Sequence, residues 1–239
     1  NTEGSCNVSL GSALGDNTTG GNNIGIGFIA LSNNTTASGS VAVGRSALQE
    51  NTTGVEHVAI GCGALKSNTT ANYNVAVGGN ALLDNTTGTQ NVALGTAALA
   101  NNTTANANTA LGHSAMETNT TGTANVAVGS LSLDANTTGS NHTAVGRQAL
   151  SANTTSSSNT ALGGNTLATN TTGNFNTAVG YDALLSNTTA SNNTAVGTNS
   201  MRLNTTGASN VAIGYNALDA NTTGGNNIAI GDNALGANT

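Results

Sequence analysis

The residues best placed to do chemistry are asparagines, and they recur at a fixed interval. Asn-Thr-Thr begins at Asn17, Asn34, Asn51, Asn68, Asn85, Asn102, Asn119, Asn136, Asn153, Asn170, Asn187, Asn204 and Asn221. Each is an Asn-x-Thr acceptor pattern, so the chemistry on offer is attachment of a glycan to the side-chain amide. Further acceptor patterns begin at Asn7, Asn33, Asn101, Asn141 and Asn192. The same tripeptide is good turn chemistry, because an asparagine side chain caps nearby backbone groups. The two roles oppose each other, since an asparagine buried in a ladder cannot carry a sugar. Crowding adds to the opposition: glycans on every coil of a stack would emerge only about 4.8 Å apart.

Other reactive residues do not converge. His57 and His142 share a place in the repeat but lie five repeats apart, and His113 falls elsewhere, a spacing that makes no metal site. Cys6 and Cys62 stand in different columns about three repeats apart. A disulfide needs Cα atoms within about 7 Å, so no intrachain bridge is expected. Asp84, Asp134 and Asp219 read as solvated turn residues, and no calcium-type acidic repeat is present. No Ser-His-Asp set assembles. The reading is therefore not an enzyme, with no catalytic, cofactor-binding or metal residues. Stacked threonines raise ice binding as a lesser alternative. Adjacent threonines in a strand point opposite ways, however, so Thr18-Thr19 supplies a single outward column.

What must position these residues is the repeat itself. Thirteen repeats of 17 residues run over 17–237, preceded by a 16-residue variant over 1–16 and followed by Asn238-Thr239, the start of another. Such a chain is a stack of one supersecondary unit, read here as a single repeat domain over 1–239. Counting from the Asn of Asn-Thr-Thr, position 7 is usually Asn, position 8 Val, Ile or Thr, and position 9 Ala except at Gly25. Position 10 is Val, Ile or Leu and position 11 is always Gly. Position 14 is small and position 15 is Leu or Met.

The segment 7–10 is short, β-branched and stopped by glycine, which predicts a strand turning a corner at position 11. Positions 13–16 could make a second short strand. A 17-residue unit is too short for two packed helices, so each unit is expected to be one coil of an all-β parallel β-solenoid or β-roll. About fourteen coils at about 4.8 Å each would span roughly 65 Å. Large residues at positions 10 and 15, such as Val77 and Leu82, are expected inside. The small residues at 9 and 14 would then face outward against another chain or layer, or both faces would be needed within a very narrow coil. Apolar burial per coil is thin, so backbone ladders and stacked amides at positions 1 and 7 must carry much of the stability.

Composition agrees. Only 6% of residues are charged and 2% aromatic, without Trp or Pro. Like charges stacked in register would repel, which accounts for their scarcity. Four basic residues, Arg45, Lys66, Arg147 and Arg202, against a net charge of −6 make no footprint for nucleic acid or an anionic membrane. No apolar run reaches the roughly 20 residues of a membrane span. The chain carries no signal peptide or initiator Met and begins and ends on the repeat motif, as expected of a processed form or of part of a longer protein.

The unit Asn-Val-Ala-Val-Gly-x-x-Ala-Leu resembles the head repeats of trimeric autotransporter adhesins. Matching stretches are Ser40-Val41-Ala42-Val43-Gly44, Asn91-Val92-Ala93-Leu94-Gly95 and Asn210-Val211-Ala212-Ile213-Gly214. The Asn-Thr-Thr-Gly repeats are also similar to shafts of some phage tail fibres. The resemblance implies a left-handed β-roll, three chains per fibre and display outside the cell or on a virion. The present unit is about three residues longer than the adhesin repeat, and the Asn-Thr-Thr turn accounts for the excess. The expectation is a structural extracellular fibre or adhesin-like shaft or head, self-associating as a homotrimer or end-to-end filament and meeting a surface receptor. The alternative is a filament core that displays covalent glycans at Asn-Thr-Thr.

Overall fold

A computed structural model describes residues 3–237. The sequence expectations for Asn1-Thr2 and Asn238-Thr239 lie outside the described residues. The chain is an all-β parallel β-solenoid with one three-residue strand per coil, from Val8–Leu10 to Ile228–Ile230, fourteen among the described residues. It divides into two compact units, Asn1–Thr121 and Gly122–Thr239. Within each unit every strand pairs in parallel with the next, in strict register: Val75 lies opposite Val92, Ala76 opposite Ala93 and Val77 opposite Leu94. The 17-residue period therefore becomes columns of equivalent residues running along each stack.

The strand occupies positions 8–10, and positions 12–17 form turns rather than a second strand. The reason lies in the backbone. Gly78 at position 11 turns the corner with φ of 136°, and a Cβ there would sit 2.5 Å from the carbonyl oxygen of Gly95 in the next coil. Left-handed residues follow at positions 13 and 15, such as Asn80 at φ 57° and Leu82 at φ 50°. For a leucine this conformation is costly, and a regular strand cannot contain it. Hydrogen bonds between coils hold it in place: the Leu82 N–H donates to the Ala98 carbonyl at 3.0 Å, and the Asn80 N–H to the Cys62 carbonyl at 2.9 Å. The interchain-like pairing thus continues well beyond the strands, from Thr86 N–H to Thr103 carbonyl at 2.9 Å and onward around the coil.

This geometry corrects the expected facing of the strand. Position 9 points inward, with Ala42, Ala76 and Ala93 fully buried. Positions 8 and 10 share the opposite face, as strand alternation requires, and lie half-buried or exposed. Val77 is therefore on the outside and Ala76 within. Positions 14 and 15 both point inward, as Ala81 and Leu82 show, because the left-handed turns replace the period of two. Alanine suits position 9 because the narrow interior is already filled by the leucine column, Leu31 to Leu99 in the first unit and Leu133, Leu150, Leu167, Leu184 and Leu218 in the second, with Met116 and Met201 in the same column.

Candidate functional site

The asparagines of Asn-Thr-Thr form a column at position 1, and it is closed to solvent. Asn17, Asn34, Asn51, Asn68, Asn85, Asn102, Asn119, Asn136, Asn153, Asn170, Asn187, Asn204 and Asn221 are all buried. Asn102 shows the wiring: its Nδ2 donates 2.8 Å to Oδ1 of Asn85, one coil before, and 3.1 Å to the Ala105 carbonyl of its own turn. Its own Oδ1 accepts from Nδ2 of Asn119 at 2.9 Å. Both amide hydrogens are thus in use, and the nitrogen to which a sugar would attach has no path to solvent. A folded coil cannot carry a glycan at any of these thirteen candidate positions. The turn-forming role of Asn-Thr-Thr excludes the acceptor role by burial. Asn33, Asn101, Asn141 and Asn192 begin acceptor patterns too, and these four are exposed. Asn7 is partly buried and donates 2.7 Å to the Gly20 carbonyl.

Position 7 forms a second buried column with a different logic. Oδ1 of Asn74 accepts the backbone N–H of Asn91 at 2.8 Å, while its Nδ2 donates 2.8 Å to the Gly88 carbonyl. The amide thus bonds the backbone of its copy and a turn carbonyl in the next coil, rather than the side chain of its copy as in a pure amide ladder. His57 and His142 fill this column without breaking it. The His57 Nδ1 accepts the Asn74 N–H at 3.2 Å and its Nε2 reaches the Ala71 carbonyl at 2.7 Å. His142 does the same with Asn159 and Ser156. These partners assign the neutral tautomer protonated at Nε2, an acceptor and a donor spaced like those of asparagine. Burial lowers the His57 pKa to about 4, against the two backbone hydrogen bonds that raise it. His142 is lowered for the same reason. These imidazoles are structural, and the signal was present in sequence: each stands where the other coils carry asparagine.

Threonine at position 2 spends its hydroxyl on the next coil, as Thr86 Oγ1 does on the Thr103 carbonyl at 3.1 Å. Position 3, such as Thr87, is exposed. Among the described residues no group of three His, Cys, Asp or Glu side chains gathers to hold a metal. None of these residues belongs to a helix long and apolar enough to cross a membrane. Cys6 and Cys62 are free and exposed. Cys62 borders a hollow of about 260 Å³ with Lys66 and Asn80, and Arg45 directs a guanidinium hydrogen to its Sγ at 3.1 Å.

What reaches solvent is the outer face of the strands. Apart from Leu203 and Leu235, every exposed large apolar residue lies at position 6, 8, 10 or 12. All five aromatic side chains belong to this set, Tyr73 and Phe175 at position 6 and Phe28, Tyr181 and Tyr215 at position 12. Positions 8 and 10 contain no charge in any coil. At about 3.3 Å per residue and about 4.8 Å per strand, seven strands of one unit present a plane of about 340 Å². Position 11 then turns the chain away, so position 12 lies beyond the corner. Compared with known protein families, curated proteins and solved structures, the chain matches none.

Proposed function

We propose that this chain is a structural element of an extracellular or virion-surface fibre, an adhesin-like shaft or head that associates with further copies of itself and attaches the assembly to a surface. The observation that carries this reading is the uncharged face of the strands, apolar at position 10 throughout and joined by Thr109, Thr143, Thr160, Thr177 and Thr194 at position 8, paired with an interior devoted wholly to structure. A patch of this size is within the range found on monomers, where the largest one is often functional. A second copy fits it by commensurability, because both faces carry columns at the same coil spacing, about 4.8 Å. Identical copies can meet there without like-charge repulsion, since the acidic residues lie in other columns. The interior speaks against a sugar-displaying core built on Asn-Thr-Thr, because the acceptor nitrogens are sealed within it.

The test is the native mass of Ile60→Asp plus Leu94→Asp, two outward position-10 residues that are 40% and 43% exposed. The unmodified chain should run as a multiple of 23.1 kDa, and the double variant should fall to one chain with its circular dichroism unchanged. An unchanged mass in the variant would remove this face from the assembly.

A further inference from the structure

In the second unit, position 12 alternates large and small residues along the stack. The order is Ser130, Arg147, Gly164, Tyr181, Thr198, Tyr215 and Asp232. Arg147, Tyr181 and Tyr215 are exposed and stand two coils apart, which places them about 10 Å apart along the stack. The corresponding column of the first unit has no such alternation: Phe28, Arg45, Cys62, Gly79, Thr96, His113.

The column beside it is polar from the coil of Arg147 onward, Gln148 being followed by Asn and Asp. Position 13 reads Asn165, Asp182, Asn199, Asn216, Asn233. These side chains are wired to one another: Asn165 Nδ2 donates to Asp182 Oδ1 at 3.0 Å, Asn199 to Asn216 at 3.0 Å, and Asn216 to Asn233 at 3.4 Å. Their left-handed φ, between 51° and 57°, is a conformation that Asn and Asp tolerate well. Backbone need alone does not select them, because Ala97, Leu131 and Gln148 hold the same conformation at position 13. Tyr181 is also held in place. Its ring edge passes 3.4 Å from where a Cβ of Gly164 would be, and its hydroxyl accepts from Asn165 Nδ2 at 3.4 Å.

We propose that this ridge binds an extended β-1,4-linked polysaccharide lying along the stack. Two coils match the length of one disaccharide unit of such a glycan, whose successive pyranose rings turn alternate faces outward. Every second ring would meet the same kind of planar platform: the Arg147 guanidinium, then the Tyr181 and Tyr215 rings. Sugar C–H groups stack on these faces, because the ring face carries the negative part of the aromatic quadrupole. The neighbouring amides and the Asp182 carboxylate supply donors and acceptors for the equatorial hydroxyls. Gly164 gives the Tyr181 ring room to lie flat along the stack, and the small Thr198 leaves room for the sugar between the two tyrosines. The ridge lies beyond the corner glycine, off the strand face assigned to self-association, so the two readings stand or fall separately.

The test uses the full chain, with cellohexaose and chitohexaose as soluble probes in calorimetry and microcrystalline cellulose and chitin in pull-down. The unmodified chain should bind at least one of the two series. Tyr181→Ala and Tyr215→Ala should each weaken it about tenfold and together abolish it, while Phe28→Ala in the first unit leaves it intact. The arm that binds identifies the sugar as glucose-type or N-acetylglucosamine-type. Failure of both series, or tyrosine variants that bind as well as the parent, would overturn the proposal. A change of native mass in the tyrosine variants would instead make the ridge a contact between copies, and would overturn it too.

Discussion

The two buried asparagine columns look alike in sequence and work differently. Column 1 is asparagine in all thirteen full repeats, whereas column 7 admits Ser40, His57 and His142. Column 1 needs one group that donates twice from a single nitrogen and accepts at an oxygen, so that each side chain bonds both its own turn and its copies along the stack. Only a primary amide does this. Column 7 asks for an acceptor for a backbone N–H, which the Ser40 hydroxyl meets alone, and a neutral imidazole adds the donor to a turn carbonyl at a spacing similar to that of asparagine. The difference teaches that a repeated residue is fixed by how many partners it serves at once, rather than by burial alone.

The largest expected effect comes from adding to column 1. In a host that modifies acceptor patterns before folding, any chain carrying a sugar at Asn102 should fail to close its coils. Glycopeptide mapping of the soluble, folded fraction should find column 1 bare, with sugar confined to exposed positions such as Asn33, Asn101, Asn141 and Asn192. Folded protein with occupied Asn102 would break the account of that column.

Next come deletions within the columns. Asn102→Ala strands the Asn85 oxygen and an Asn119 amide hydrogen, at about 1–3 kcal/mol for each orphaned group, while the Ala105 carbonyl keeps its bond from Asn91. Chemical denaturation should show a loss of about 4 kcal/mol. Asn91→Ala in column 7 orphans the Asn108 N–H and leaves the Ala105 carbonyl with Asn102 alone, for a loss of about 2 kcal/mol. The sharper contrast is histidine: Asn91→His should cost under about 1 kcal/mol, and Asn102→His several. Equal costs for the two histidine variants would erase the distinction between the columns.

A smaller effect separates the histidines from the asparagines by pH. Since the folded pKa of His57 lies near 4 and the ordinary value is 6.5, the unfolded chain binds the extra proton first as pH falls. Stability is therefore complete above about pH 6.5 and declines towards pH 4, by about 3 kcal/mol for this one group. The His142 shift acts in the same direction. Replacing both by asparagine should flatten stability across that window in thermal melts, and an unchanged pH profile would contradict the assigned tautomer.

Much of this was legible in the chain. The period set the coil, the invariant glycine set the corner, and Val or Ile beside Ala located the strand. Asn-Thr-Thr was legible as one of two exclusive roles, and only burial could choose between them. The facing of Ala76 and Val77 was not legible, because a small residue packed inside a narrow coil and one packed under a neighbouring chain leave the same composition. Leu82 at φ 50° was hidden too, since nothing in a leucine announces a left-handed backbone held by bonds from adjacent coils. That single feature decides why positions 14 and 15 both face inward and why the second expected strand is a turn. The Tyr181 and Tyr215 ridge was open to reading at a two-coil period, but its polar companion column emerges only when side chains are seen bonded along the stack.

The most direct measurement is the native mass of the purified chain over a range of concentrations. The account predicts discrete multiples of 23.1 kDa, with no excess mass on the Asn-Thr-Thr asparagines. A single chain at every concentration would contradict self-association through the strand face. A folded particle with large excess mass that maps to the Asn-Thr-Thr asparagines would contradict the buried ladder on which the fold is built.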